Sequence, residues 1–479
     1  MKDMTRGSEA KLIFYFALPM LVGNVFQQLY NTVDSIIVGK FLGKDALAAV
    51  GTSFPIIFLL ISLIMGVTMG STILISQYFG AKDMDKVKKT IDTAYITLFF
   101  ASIFITILGL IIGGPILRLI NVPEEIFAQS KEYLDITFIG LIGMFGYNSV
   151  SAILRGLGDS KTPVYFLIIS SVINIVLDLL FILEFNMGVG GAAWATIISQ
   201  AISFVLAVIY LNRRHKVFKI NIRHLEFDKA ILKDSIRIGL PSGIQQMVFS
   251  FGMMMLQGLI NGFGGNTMAA YAAASKIDSF ASMPIMNFGA AISTFVGQNI
   301  GANKPERVKK GLNTTLIMST VMSIGIALIL ILFAKPLVEI FTNEPQVVVE
   351  GANYINIVAP FYFVVGAMFI INGVHRGAGE AIFPMIISIL SLWLIRLPIA
   401  YILSSFLGSN GIWWSIPAGW TFGAIATVIY YRSGKWKNKS LVKVSFNNSE
   451  APKEELTHET SSKNTISNEE ASEEVEPIS

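Results

Sequence analysis

Apolar residues run along this chain in long blocks separated by short polar or basic stretches. The blocks start near residues 12, 48, 90, 126, 163, 189, 235, 267, 311, 346, 384 and 410. Each carries few charges and holds roughly the 20 residues that an α-helix needs to cross a hydrocarbon core of about 30 Å. The pattern predicts twelve membrane-spanning helices, with Pro55 and Pro284 as candidate kinks in the second and eighth. Composition agrees, since 53% of residues are hydrophobic and 14% charged, whereas soluble domains carry roughly 25% charged residues. A soluble globular protein is excluded, and an all-α multi-pass protein of the cell membrane is expected. No secretory signal is expected, because the apolar segment from Leu12 outruns a signal core without a small-residue cleavage site.

Charge then orients the spans. The segments that share a side with the N-terminus hold 27 Lys and Arg, and the other side holds Lys40, Lys44, Arg118, Lys131 and Lys335. Basic residues accumulate on the cytoplasmic face, so both termini are expected in the cytoplasm. Basic loops such as Lys82 to Lys89 are read as topogenic and lipid-facing, with no nucleic-acid partner. From Glu450 onward the chain has nine Glu, two Lys and almost no large apolar residue. Such a stretch cannot bury enough surface to offset its ordering entropy, and a disordered cytoplasmic tail is expected.

The chain also matches itself. "QYFGAKDMDKVKK" from Gln77 agrees with "QNIGANKPERVKK" from Gln298 at six of thirteen positions, where average residue usage gives about one. At the same offset of 221, "RGLGDSKTP" from Arg155 matches "RGAGEAIFP" from Arg376. Leu18 and Pro19 recur at Leu240 and Pro241, and Gly191 and Trp194 at Gly411 and Trp414. Six spans separate the copies, so both have the same orientation. Two parallel-repeat six-helix bundles with a central cavity are expected, over 1–212 and 234–432, joined by a cytoplasmic connector at 213–233 and followed by the tail at 433–479.

Several chemistries are missing. There is no Cys, no phosphate-binding G-x-x-x-x-G-K-[ST] loop, and the four His are scattered at 215, 224, 375 and 458. Disulfides, an intrinsic ATP motor and a metalloenzyme are therefore not expected. The Gly turns at 155 to 163 and 376 to 384 are read as helix stops with positive φ.

Ionisable residues inside spans carry the remaining signal, because a carboxylate at mid-membrane costs about 2.5 to 3.5 kcal/mol. Asp34 lies in the first span, and Asn31, Tyr30 and Gln27 precede it by 3, 4 and 7 residues on one helical stripe. Asp178 lies in the fifth span one turn after Asn174, and Thr196 lies in the sixth. Two carboxyls, an amide and a hydroxyl suit a small hard cation such as Na⁺, held by Asp34, Asn174 and Asp178, or a shared proton. The second bundle has no acid in its first span, but Met253, Met254 and Met255 offer a soft surface there. Gln27, Tyr30, Asn31, Tyr147, Phe249 and Met253 are read as the substrate-binding surface. Lys276, Asp278 and Arg396 are read as interfacial or paired groups.

The repeat, the "LP" opening, "NTVDSIIVG", "QYFGAK", "RGLGDSKTP" and "NIVLDLLF" together resemble the multidrug and toxic compound extrusion (MATE) family over residues 12 to 432. That resemblance implies alternating access and export of lipophilic or cationic compounds against inward Na⁺ or H⁺, without an organic cofactor. It also implies an acidic site of Asp34, Asn174, Asp178 and Thr196 in the first bundle. The further acids that one branch of the family places in the seventh and tenth spans are missing here. A functional monomer in contact with lipid is expected. The alternative is a lipid-linked oligosaccharide flippase of related architecture, which calls for a cavity lined by many Arg and Lys.

Overall fold

Twelve helical stretches of membrane-spanning length follow one another in the computed structural model. It describes residues 2–214 and 224–442, the side chains of 63 and 64 excepted. They are α1 (Glu9–Phe41), α2 (Lys44–Gly80), α3 (Met84–Leu119), α4 (Glu124–Ile139 and Leu141–Gly156), α5 (Lys161–Glu184) and α6 (Gly188–Arg214). Then come α7 (Lys229–Asn261), α8 (Gly265–Gly301), α9 (Pro305–Leu332), α10 (Pro345–Gly377), α11 (Ile382–Leu407) and α12 (Ser409–Arg432). The middle of the expected connector and the tail from 443 onward lie outside the described residues, whereas residues 433–442 of the expected disordered tail are ordered, with a short helix at Lys435–Lys439 and Trp436 buried.

Every expected start falls just inside the helix found, for a local reason. The apolar block of α3 begins near 90, but the helix begins at Met84 because Asp83 accepts a hydrogen bond from the Lys86 N–H at 3.1 Å and caps it. Its first turns are basic and lie beyond the apolar block. Ten stretches are long and apolar enough to span, and α4 makes eleven if its two halves, bent by 50°, count as one. The 33-residue α7 is less apolar, carrying Lys229, Lys233, Asp234 and Arg237 at its start and Gln245, Gln246 and Gln257 further on. Both α2 and α8 continue as helix through Pro55 and Pro284.

The duplicated motifs fold alike. Each RGxG[DE] run ends a helix with a paired turn. Asp159 N–H bonds Leu154 O at 2.8 Å and Gly158 N–H bonds Arg155 O at 3.0 Å, while Glu380 and Gly379 repeat this on His375 and Arg376. Gly158 has φ +82° and Gly379 φ +92°, which confirms the expected positive-φ stops. The following acid then caps the next helix: Asp159 accepts from Lys161 and Thr162 N–H, and Glu380 from Ile382 and Phe383 N–H.

The bundles α1–α6 and α7–α12 meet closely toward the end that carries the basic segments. A Cβ on Gly239 would lie 2.2 Å from Gly66 O, and one on Gly70 2.1 Å from Ser235 O, so only the small residues allow α2 and α7 to touch there. Hydrogen bonds between bundles join Met4 to Gln298, Gln77 to Gly377, Gln298 to Gly156 and Asn24 to Asn287. Of these, Asn24–Asn287 lies farthest from the basic end, about 22 Å along α1 at 1.5 Å per residue. Farther out, α1 exposes Gln28 and Asn31. Exposed amides at this depth call for water or polar partners, as the expected central cavity would supply.

Candidate functional site

The stripe on α1 and the polar face of α5 converge as the spacing predicts. Asn174 and Asp178 are 0% exposed, and the carboxyls of Asp34 and Asp178 lie within hydrogen-bonding reach of each other. With its amide oriented to satisfy both neighbours, Asn174 donates to Asp178 Oδ2 at 2.9 Å and accepts from Thr196 N–H at 3.2 Å. Tyr30 completes the group by donating to Thr196 Oγ1 at 3.3 Å. Residues of three helices are thereby held in one place by packing around Val33, Ile37 and Ile175.

One oxygen of each carboxyl, Oδ1 of Asp34 and Oδ1 of Asp178, is buried without a hydrogen-bond partner. Two neighbouring buried carboxyls are stabilised by sharing a proton or holding a cation between them. The oxygen set, with Asn174, Thr196 and Tyr30 beside it, fits a hard monovalent cation as well as a proton. Among the described residues no group of three His, Asp or Glu is arranged for a resident metal.

Structure adds a participant that sequence reasoning missed. Tyr133 of α4 packs between the cluster of Ile37, Ile182 and Val189 and that of Ile136 and Ile197, in the neighbourhood of the acidic pair. Its context, "KEYLDI", reads as an ordinary amphipathic turn, so nothing in the sequence marked it.

The expected substrate surface is only partly assembled. Gln27 donates to Asn31 Oδ1 at 3.4 Å, making an amide pair one turn from Asp34. Phe249, Met254 and Met255 are exposed, and half-buried Met253 receives Arg396 Nη1 at 3.5 Å on its sulfur. Tyr147 lies apart from the other expected residues. Its hydroxyl donates to Pro163 O at 2.9 Å and its ring packs with Leu154, Phe166 and Leu211, in a cluster separate from the one around Asp34. The turn that starts α5 captures it.

In the second bundle Asp278 accepts from Tyr362 at 2.6 Å, and Arg396 is 8% exposed. Beside them Tyr271 stacks on Trp413, with Tyr354 edge-on to both. Lys276 lies 5.7 Å over the Phe341 ring. Asp278 and Lys276 are therefore tied to aromatic neighbours, and Arg396 to the Met253 sulfur.

Comparison with known proteins agrees with this architecture. The MatE family model matches residues 19–180 and again 241–402, once in each bundle. "Probable multidrug resistance protein YpnP" of Bacillus subtilis (strain 168) is 33% identical over 440 residues, covering 92% of this chain and 98% of the relative. A crystal structure of MATE in complex with MaL6 superposes with a TM-score of 0.85 at 27% identity, covering 90% of this chain and 97% of the other. A structure described as the outward-facing conformation of a multidrug resistance MATE family transporter of the MOP superfamily gives 0.85 at 26% identity, with coverage of 91% and 98%.

Proposed function

The chain belongs to the MATE family of transporters, and from that premise we propose that it is a cation-coupled antiporter. It exports lipophilic or cationic compounds across the cell membrane by alternating access, with both termini in the cytoplasm and Na⁺ or H⁺ entering in exchange. The observation that carries this reading is the Asp34–Asp178 pair, buried within the first bundle with an unpartnered oxygen on each carboxyl.

The coupling follows from electrostatics. A Na⁺ or H⁺ entering the pair neutralises charge that is poorly solvated at this depth. That changes how α1, α5 and α6 pack through Asn174, Thr196 and Tyr30. An ion that stabilises the conformation of low substrate affinity weakens substrate binding by the same factor as substrate weakens ion binding. Exposed Phe249 and the Met254 and Met255 side chains supply polarizable surface without a fixed hydrogen-bond pattern, which suits varied lipophilic cations.

The flippase alternative has no support here. The relatives described above are named for multidrug resistance, and the two basic residues inside the second bundle are engaged with Phe341 and Met253. The test is efflux of a fluorescent lipophilic cation from proteoliposomes under Na⁺ and pH gradients imposed separately. Efflux should follow at least one gradient. Indifference to both overturns the antiport reading.

A further inference from the structure

The two Gln residues that open the repeated cytoplasmic motifs take no part in the acidic site, yet both are 0% exposed. Gln77, near the end of α2, donates from Nε2 to Gly377 O at 2.9 Å, at the last residue of α10 in the other bundle. Gln298, its repeat counterpart in α8, donates to Gly156 O at 3.2 Å, at the last residue of α4. The two bonds are exchanged crosswise between equivalent positions, since 77 and 298, like 156 and 377, differ by the repeat offset.

The carbonyl end of each amide is used as well. Gln298 Oε1 accepts from Met4 N–H at 2.9 Å, and Gln77 Oε1 accepts from Leu441 N–H at 3.2 Å. Each Gln thus ties its own helix to a helix end of the opposite bundle and to a segment near one end of the chain. The segment before α1 is held further across the interface: Asn299 donates to Met4 O at 3.1 Å, Lys304 to Thr5 O at 2.8 Å and Arg307 to Gly7 O at 2.9 Å. Backbone contact is equally close. A Cβ on Gly301 would lie 1.8 Å from Gln77 O, and one on Gly80 2.0 Å from Gln298 O.

A buried amide that spends both its donor and its acceptor across an interface is satisfied only while the interface is closed. When the bundles part, water takes over all of these bonds, so opening exchanges partners instead of leaving polar groups unpaired. We propose that Gln77 and Gln298 form a symmetric latch that closes the basic end of the transport pathway, and that both must release for the cavity to open on that side. The link to transport rests on the alternating-access reading above. The latch itself does not.

The chain has no Cys, so Ser76→Cys introduces a single thiol at a position 0% exposed, in the seam beside Gly297. Maleimide labelling of the full-length purified protein reports opening. In the Gln77→Ala, Gln298→Ala background labelling should accelerate by about tenfold or more, equivalent to about 1.4 kcal/mol in the opening equilibrium. Each single change should give a smaller acceleration. An unchanged rate in the double variant overturns the latch.

A cross-link covers the case in which the double variant does not fold. A Cβ on Gly297 would lie 2.8 Å from Ser76 Cβ, so a slight separation brings the Ser76→Cys, Gly297→Cys pair into the roughly 3.5–4.5 Å that a disulfide takes. Oxidation should stop efflux and reductant should restore it, while substrate still binds. Full efflux by completely cross-linked protein overturns the latch. Absence of efflux in the unmodified protein removes the transport reading, and the labelling rates still decide the latch.

Discussion

Asn24 on α1 donates from Nδ2 to Asn287 Oδ1 on α8 at 3.1 Å, a bond between residues 263 positions apart. Asn287 turns its own amide nitrogen back to Met283 O at 2.8 Å, so its oxygen is presented to the opposite bundle. Asn287 lies as many residues before the end of α8 as Gly66 does before the end of α2, so the pair sits at the depth of the glycine seam between α2 and α7.

A double-mutant cycle measures this tie. Asn24→Leu and Asn287→Leu should each lower thermal stability in detergent, and the double variant should lose less than the sum. Interhelical hydrogen bonds in membranes couple by about 0.6 kcal/mol, with a maximum of about 1.7. Strict additivity would show that the two amides do not act together.

The acidic pair should control energy coupling without holding the fold together. Asp34→Asn and Asp178→Asn proteins should elute and melt like the parent, while gradient-driven efflux falls to that of empty liposomes. Substrate binding should lose its dependence on Na⁺ or pH. Asn174→Ala should impair coupling less, because water can replace one neutral ligand. Efflux at the parental rate by the Asp34→Asn, Asp178→Asn double variant would remove the pair from the mechanism.

Gly158 combines φ +82° with Lys2 O at 2.2 Å from the position of a Cβ. Gly7 has φ +91° with nothing within 4 Å. Left-handed backbone costs a non-glycine residue about 1–2 kcal/mol, so both Ala substitutions should destabilise. Only Gly158→Ala should also dislodge the segment before α1, read as faster tryptic cleavage at Lys2 and Arg6. Equal cleavage of the two variants would contradict the contact.

Glu380 sits outside the spans, 4% exposed, between α10 and α11. Burial works against its charge, but the Phe383 N–H, Lys439 and Tyr430 outweigh it and hold the carboxyl below its ordinary 4.5. A depressed carboxyl contributes stability above its unfolded pKa and loses it as pH falls through the folded one. Melting temperature should therefore drop as pH is lowered from about 5 toward 3, and Glu380→Gln should be less stable at neutral pH with a flatter acid limb. An unaltered acid limb in the variant would assign that loss to other groups.

Twelve helices, their duplication and the stripe Gln27–Tyr30–Asn31–Asp34 were legible in the chain alone. Lipid cannot satisfy backbone polar groups, so every span must be a long helix with an apolar surface, and that local demand is written in consecutive residues. The same demand made Asp34 and Asp178 conspicuous, and Asn174 one turn before Asp178 identified their shared helix face. What faces meet, and how closely, was decided by tertiary packing. Tyr133 packs between the clusters beside the acidic pair, the Tyr147 hydroxyl is taken up by Pro163 O, and Asn24 meets Asn287 where Gly66 and Gly239 let the bundles touch. Gln77 and Gln298 were visible as a repeated letter, but the crosswise bonds to Gly377 and Gly156 exist only between two bundles that each present a helix end to the other. Such contacts depend on the relative placement of surfaces hundreds of residues apart, a geometry that no periodicity within one helix encodes.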